Sequence, residues 1–220
     1  MDGYIIVKGV IFDLDGVLTN TSRFHYLAWK RIADELGIHF DEMINERLKG
    51  VDRAGSLDII LEKSEKAYRQ DEKKQLLEVK NGYYLELLRG ISPDDLFPET
   101  AKLLAKLKGG GIKLALGSMS KNAYEVIRRL SIGHFFDVIA DAGRIGKSKP
   151  DPEIFITAAE LMGLKCCECA VVEDSAAGIA AAKAAGMTAI GIGNRDCLHS
   201  ADIVFSETRD MIYCDIRLQT

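Results

Sequence analysis

The chain has 220 residues, 47% of them apolar and 28% charged, with a formal net charge of -4. That length suits one large domain or a core carrying a smaller insert, and the slightly acidic balance argues against a nucleic-acid partner, which leaves a basic footprint. No apolar run approaches the ~20 residues a membrane span needs, and the start MDGYIIVKG lacks the basic region and long apolar stretch of a signal peptide, so the expectation is a cytoplasmic protein without a membrane partner.

The first predicted element is YIIVKGVIF, residues 4–12, a β-rich run too apolar to alternate and so suited to a parallel strand buried on both faces. It ends in Asp13, Leu14, Asp15 and Gly16. Two carboxylates there are either solvated punctuation or a site, because each needs hydrogen bonds, a cation or a proton once water is partly excluded. Residues 19–92 then break the β rhythm. This stretch has no proline, is rich in Lys, Glu and Leu, and shows helical periodicity over 25–37 and 73–90. A helical cap domain of residues 19–92, inserted after the first strand of a core made of 1–18 and 93–220, accounts for it. Pro93 marks the return to the core, and Gly109-Gly110-Gly111 ends the next helix.

From there β-rich runs at 112–118, 136–141, 169–174, 187–193 and 201–206 are mostly separated by helical patterns at 122–130, 151–163 and 174–186. That alternation reads as βαβ units, and hence as an α/β fold with a Rossmann-like, doubly wound parallel sheet. The five cysteines, Cys166, Cys167, Cys169, Cys197 and Cys214, are odd in number, which argues against a disulfide framework. Cys166-Cys167-Glu168-Cys169 leads into an apolar strand, and no second CxxC or HxxxH completes a metal site.

In open α/β sheets ligands bind outside the carboxyl ends of the strands, so the residues at those ends are the informative ones. The first run ends in Asp13 and Asp15, the second in Gly117-Ser118-Met119-Ser120-Lys121-Asn122, the third is followed by GKSKPDP with Lys149, and the fourth ends in Glu173-Asp174-Ser175. Acids that would repel one another can share a hard cation, and Mg²⁺ prefers a few carboxylates with phosphate and water oxygens. A lysine and a serine beside them would neutralise and orient the same phosphate, which is what phosphoryl transfer requires.

DLDGVLT (13–19), Ser118, Lys149 before a proline and Glu173-Asp174 occur in the order of the four motifs of the haloacid dehalogenase superfamily of phosphotransferases, which the chain resembles. FDLDGVLTNTSRFHYLAWKRIADELGI, LKGVDRAGSL, GSMSKN, SKPDPEIFI and VEDSAAGI carry the resemblance further, to the β-phosphoglucomutase family, which interconverts β-glucose 1-phosphate and glucose 6-phosphate. The resemblance implies that Asp13 is the nucleophile, passing through an aspartyl phosphate, and that Asp15 is the general acid/base. It implies Mg²⁺ held by the Asp13 carboxylate, the Asp15 carbonyl, Glu173 and Asp174. Ser118, the Met119 backbone N–H and Lys149 would hold the transferring phosphate.

A mutase must keep the phosphoryl group until a sugar hydroxyl arrives, whereas a phosphatase gives it to water, so the cap matters. By the same resemblance, His25 links cap closure to Asp15 and Trp29 lines the site. Lys49, Gly50, Val51 and Arg53, from a loop over 49–53, and Ser56 contact substrate, Arg53 gripping the second phosphate with Ser120, Lys121 and Asn122. Lys80 is matched to a lysine that bonds across the hinge to Thr21. The partners implied are small sugar phosphates bound by a monomer. Two other readings stand beside this one: a cap-bearing sugar phosphatase, and a silent phosphosugar-binding protein that the presence of both Asp13 and Asp15 disfavours.

Overall fold

A computed structural model describes residues 4–48, 51–140 and 142–218. The apolar run at 4–12 forms two strands instead of the single one expected. Tyr4–Val7 (β1) pairs in parallel with Asp215–Leu218 (β8), while Gly9–Phe12 (β2) joins a separate six-stranded parallel sheet. The change of partner falls at Lys8, whose N–H donates to Glu168 O at 2.8 Å and whose carbonyl accepts from Lys113 N at 3.0 Å. Its ammonium is held by Glu168 Oε1 at 2.9 Å, so a charged residue sits where the two ladders part.

The described chain divides into two compact units, one of residues 21–91 and one of the residues on either side. The first break therefore falls after Asn20 and not after Leu18, because Thr19 is still tied to the larger unit: its hydroxyl donates to Asp95 O at 2.7 Å, and it bridges Leu96. Ser92 belongs there as well, accepting from Asp94 N and donating its own N–H to Asp95 Oδ2 at 2.8 Å.

The smaller unit is helical: Ser22–Glu35 (α1), Glu42–Glu46 (α2), Arg53–Leu61 (α3) and Gln70–Leu88 (α4). On α1 the buried residues Ala28, Trp29, Ile32 and Ala33 follow the helical period, and the last three close a core with Leu57 and Ile60 of α3. The loop expected over 49–53 ends one residue early. The Asp52 carboxylate accepts from Gly55 N at 2.7 Å, which caps α3 and makes Arg53 its first helical residue. Lys49 and Gly50 lie outside the described residues. Helix α4 buries Lys80, Tyr84 and Leu88, spaced by four, so a lysine sits on its inner face.

In the larger unit the sheet order is β4-β3-β2-β5-β6-β7, with β3 at Lys113–Leu116, β4 at Val138–Ile139, β5 at Cys169–Glu173, β6 at Thr188–Ile192 and β7 at Ile203–Phe205. All residues of β2 and β5 are buried, which explains why these runs do not alternate. The chain builds β3 and β4 on one side of β2 and then crosses to build β5, β6 and β7 on the other. The order thus reverses at β2, and the carboxyl end of β2 is where such a sheet takes its ligand. Helices Thr100–Gly109 (α5), Ala123–Arg129 (α6), Glu153–Leu161 (α7) and Ala176–Ala184 (α8) complete the unit. Phe155, Ala158 and Ala159 of α7 and Ile179, Ala181 and Ala182 of α8 pack with Ile11 and Val171 in one core.

Candidate active site

The Asp13 N–H donates to Val172 O at 2.9 Å, so the ladder between β2 and β5 runs one residue past the strand and fixes the backbone that carries the acid. Asp13 is buried, and its Oδ1 accepts from Lys149 Nζ at 2.7 Å. The same ammonium donates to Glu173 Oε1 at 2.5 Å. Both Lys149 and Glu173 are almost fully buried, at 4% and 1% exposure, which makes this ion pair very different from the exposed ones elsewhere.

Glu173 has its second oxygen committed too. Oε2 accepts from the Ser175 N–H at 3.0 Å and hydroxyl at 2.9 Å, while Ser175 Oγ accepts from Gly178 N at 3.0 Å and caps α8. Gly178 is required by this arrangement, because a Cβ there would lie 1.9 Å from the Glu173 carboxyl carbon. Asp174 is brought in by a second close approach. A Cβ on Gly16 would lie 2.1 Å from Asp174 Oδ2, and Gly16 has φ +78, so only glycine fits between the Asp13–Asp15 turn and this carboxylate.

Asp13 and Glu173 thus share one ammonium, and the charge of Asp174 acts on Asp13. Burial pushes the Asp13 carboxyl well above its usual range; Lys149 opposes this, and the charges of Glu173 and Asp174 reinforce it. At Lys149 burial opposes the charge, but Asp13 and Glu173 outweigh it and raise the ammonium above the ordinary lysine value. One ammonium faces a net excess of acid here, and a second cation would oppose the upward shift at Asp13. A hard divalent ion fits that deficit, with Asp13, Asp174 and backbone, water or phosphate oxygens as donors. Among the described residues no group of three or more His, Cys, Asp or Glu side chains forms a ready metal cage, as Lys149 and Ser175 already engage both Glu173 oxygens. The cysteines offer no alternative: all five are free thiols, and burial pushes Cys169 up to about 12.

The remaining residues of the strand-end loop follow β3. The Gly117 N–H donates to Phe12 O at 2.8 Å, which brings the buried Ser118 beside the end of β2. Ser118 Oγ accepts from Ser120 N at 3.2 Å and Ser120 Oγ from Asn122 N at 3.4 Å, a ladder of hydroxyls leading into α6. Met119 packs its side chain against the core, Lys121 is exposed, and Asn122 is half-buried at the N-cap of α6. Asp15 is half-buried and bridges Thr19 in a tight turn closed by Gly16 N to Thr19 O at 2.9 Å.

In the helical unit, Lys80 Nζ lies 2.8 Å from His25 Nδ1, 4.7 Å from the Trp29 ring centroid and 5.0 Å from that of Tyr84. An ammonium only donates, so Nδ1 is an acceptor and the imidazole proton sits on Nε2. Burial, then the charges of Lys80 and Arg53, hold His25 well below its usual value and keep it neutral. Thr21 accepts at Oγ1 from the Tyr84 hydroxyl at 3.2 Å. Arg53 is half-buried and burial lowers its pKa, Val51 is half-buried, and the buried Ser56 donates to Asp52 O at 2.8 Å.

Sequence reasoning passes over Tyr84 and the cap made by Ser175. Ser175 carries a legible signal, a serine directly before the helical run 176–184, and Tyr84 carries a fainter one, its spacing of four from Lys80.

A family model described as haloacid dehalogenase-like hydrolase matches residues 7–186. The chain is 45% identical over 207 residues to the β-phosphoglucomutase of Bacillus subtilis, spanning 93% of this chain and 92% of that protein. It is 34% identical to a phosphorylated carbohydrates phosphatase of Thermotoga maritima, over 84% of each chain. Among solved structures, a β-phosphoglucomutase from Clostridium difficile superposes with a TM-score of 0.92 at 40% identity, covering 94% of both chains.

Proposed function

The chain belongs to the haloacid dehalogenase-like hydrolase family, and from that premise we propose that it is an isomerase acting as a β-phosphoglucomutase, interconverting β-glucose 1-phosphate and glucose 6-phosphate. The observation that carries the chemistry is the buried Asp13 carboxylate, held 2.7 Å from Lys149 at the end of the central strand. The 45% identity to a β-phosphoglucomutase along nearly the whole chain favours the mutase among phosphoryl-transfer enzymes.

Lys149 occupies Oδ1 of Asp13, which leaves Oδ2 to attack phosphorus in line with the leaving oxygen. In one half-reaction Asp15 takes the proton from the 6-hydroxyl of β-glucose 1-phosphate as that oxygen attacks the aspartyl phosphate, which frees Asp13 and forms β-glucose 1,6-bisphosphate. The bisphosphate then turns over. In the other half-reaction a bond forms from Asp13 to the phosphorus at the 1-position as the bond to the sugar oxygen breaks, Asp15 donates a proton to that departing oxygen, and glucose 6-phosphate leaves the restored aspartyl phosphate. Lys149 and Ser118 offset and orient the charge of the transferring phosphate. Asp13, the Asp15 carbonyl and Asp174 would hold Mg²⁺, with Glu173 joining them by giving up a contact to Lys149 or Ser175, and the ion would supply further charge neutralisation on the phosphoryl oxygens.

The cap residues distinguish sugar hydroxyl from water. His25, with Nε2–H as donor, serves Asp15. Trp29, Val51, Ser56 and Lys80 shape the sugar pocket, and Arg53 with Ser120, Lys121 and Asn122 takes the phosphate that is not being transferred, bidentately at the guanidinium. Lys49, Gly50 and the hinge residue Thr21 complete the assignment, in a cytoplasmic monomer.

The Thermotoga maritima relative supports a second reading, a sugar-phosphate phosphatase. A coupled assay separates the two: purified protein with Mg²⁺, β-glucose 1-phosphate and a trace of the 1,6-bisphosphate is expected to yield glucose 6-phosphate without comparable free phosphate. Phosphate without glucose 6-phosphate establishes the phosphatase.

A further inference from the structure

Thr21 and His25 stand one turn apart at the start of α1, with His25 N donating to Thr21 O at 3.1 Å. Lys80 and Tyr84 stand one turn apart on α4. The two pairs meet crosswise. Lys80 reaches His25 Nδ1 at 2.8 Å, and the Tyr84 hydroxyl donates to Thr21 Oγ1 at 3.2 Å. The Tyr84 ring also stacks on the imidazole with centroids 4.0 Å apart and planes 27° from parallel, and it lies 5.0 Å from the Lys80 ammonium.

Two details set this tyrosine apart from an ordinary core residue. It is completely buried, yet its hydroxyl has a specific partner. Thr21, at the N-cap of α1, makes no side-chain capping bond, its φ of -85 and ψ of -5 being helical; its hydroxyl instead receives Tyr84. A favourable helix cap is thus replaced by a bond to α4.

Resting on the mutase reading, we propose that Tyr84 is a positioning residue for the reaction: its ring fixes the plane of His25 and its hydroxyl fixes Thr21, so that His25 Nε2–H keeps one direction. Among the described residues, Lys80 from α4 and Arg53 from α3 bear on the imidazole's charge, and Tyr84 from α4 stacks on its ring. Lys80 and Arg53 disfavour a protonated ring. The stacked Tyr84 excludes water from one face of it, so that loss of the ring admits solvent and protons.

The test uses the full chain with Tyr84→Phe and Tyr84→Leu. Nitrogen-15 NMR of the histidine side chains from about pH 5.5 to 8.5, assigned with His25→Gln, reads the tautomer without any substrate. It stands even if the parent proves a phosphatase. In the parent, His25 is expected to stay neutral with its proton on Nε2. Tyr84→Phe keeps the ring and that signature, but loses the Thr21 bond and lowers mutase kcat several-fold at similar KM. Tyr84→Leu brings His25 into titration, mixes its tautomers and lowers kcat about ten- to a hundredfold, with a larger share of turnover ending as free phosphate. A folded Tyr84→Leu protein with the parent's His25 spectrum overturns the proposal. If that variant does not fold, Tyr84→Phe decides alone, and the parent's kcat in it overturns the proposal equally.

Discussion

At the end of the central strand one ammonium serves two buried carboxylates, so removing the base and removing an acid have opposite consequences for stability. Lys149→Met leaves Asp13 and Glu173 facing each other uncompensated and is expected to cost about 3–5 kcal/mol, read as a lower urea midpoint at unchanged slope. Asp13→Asn removes a carboxyl whose pKa is raised by burial. An acid of this kind favours the folded state below its unfolded value of 3.8, and that contribution is lost as pH rises through the raised folded value. Near pH 7, with a chelator present, Asp13→Asn is therefore expected to melt at or above the parent's temperature, although its turnover is abolished. Mg²⁺ should then raise the melting temperature of the parent more than that of the variant. A chelated Asp13→Asn protein that melts well below the parent contradicts this electrostatic reading.

Helix α8 and the helix pair α1 and α4 carry consequences of their own. Replacing a helical glycine by alanine ordinarily stabilises a helix by up to about 1 kcal/mol, but at Gly178 the added carbon meets the Glu173 carboxyl. Gly178→Ala is expected to destabilise by about 2 kcal/mol and to weaken Mg²⁺ binding, measured by urea titration and calorimetry; a stabilised variant would mean that Glu173 moves freely. His25 has a folded-state pKa below its ordinary 6.5, so the unfolded chain binds the proton more readily. Its contribution is fully present above 6.5 and is lost as pH falls below it, at up to roughly 1 kcal/mol per pH unit. Thermal melts should show this slope in the parent and a flatter one in His25→Gln. At this scale the sequence is legible where burial is two-sided: β2, β5 and β6 stand out as apolar runs. Strand β8, sequence DIRL, does not, because Asp215 and Arg217 are exposed and, among the described residues, it pairs with β1 alone. The short helix α3 is equally silent until Asp52 is seen to cap it.

Over the whole chain the chemistry and its selectivity are assigned to different stretches of sequence. Asp13, Ser118, Lys149, Glu173 and Asp174 are readable because each ends a strand or lies in the segment after one, and topology alone brings strand ends together. The cap is less readable, since a helix face bearing Lys80, Tyr84 and Leu88 looks like an ordinary amphipathic stripe until its partners on α1 are known. The central claim is that Asp13 carries the phosphoryl group and passes it to a sugar hydroxyl in preference to water. It is tested most directly by charging the enzyme with labelled phosphate from an acyl phosphate donor, removing the donor, and mixing the product with β-glucose 1-phosphate and Mg²⁺ in a single turnover. The label should pass mainly into glucose 1,6-bisphosphate and then glucose 6-phosphate, and Asp13→Asn should take up none. Label released chiefly as inorganic phosphate at saturating sugar phosphate, or an Asp13→Asn protein that still becomes labelled, would contradict it.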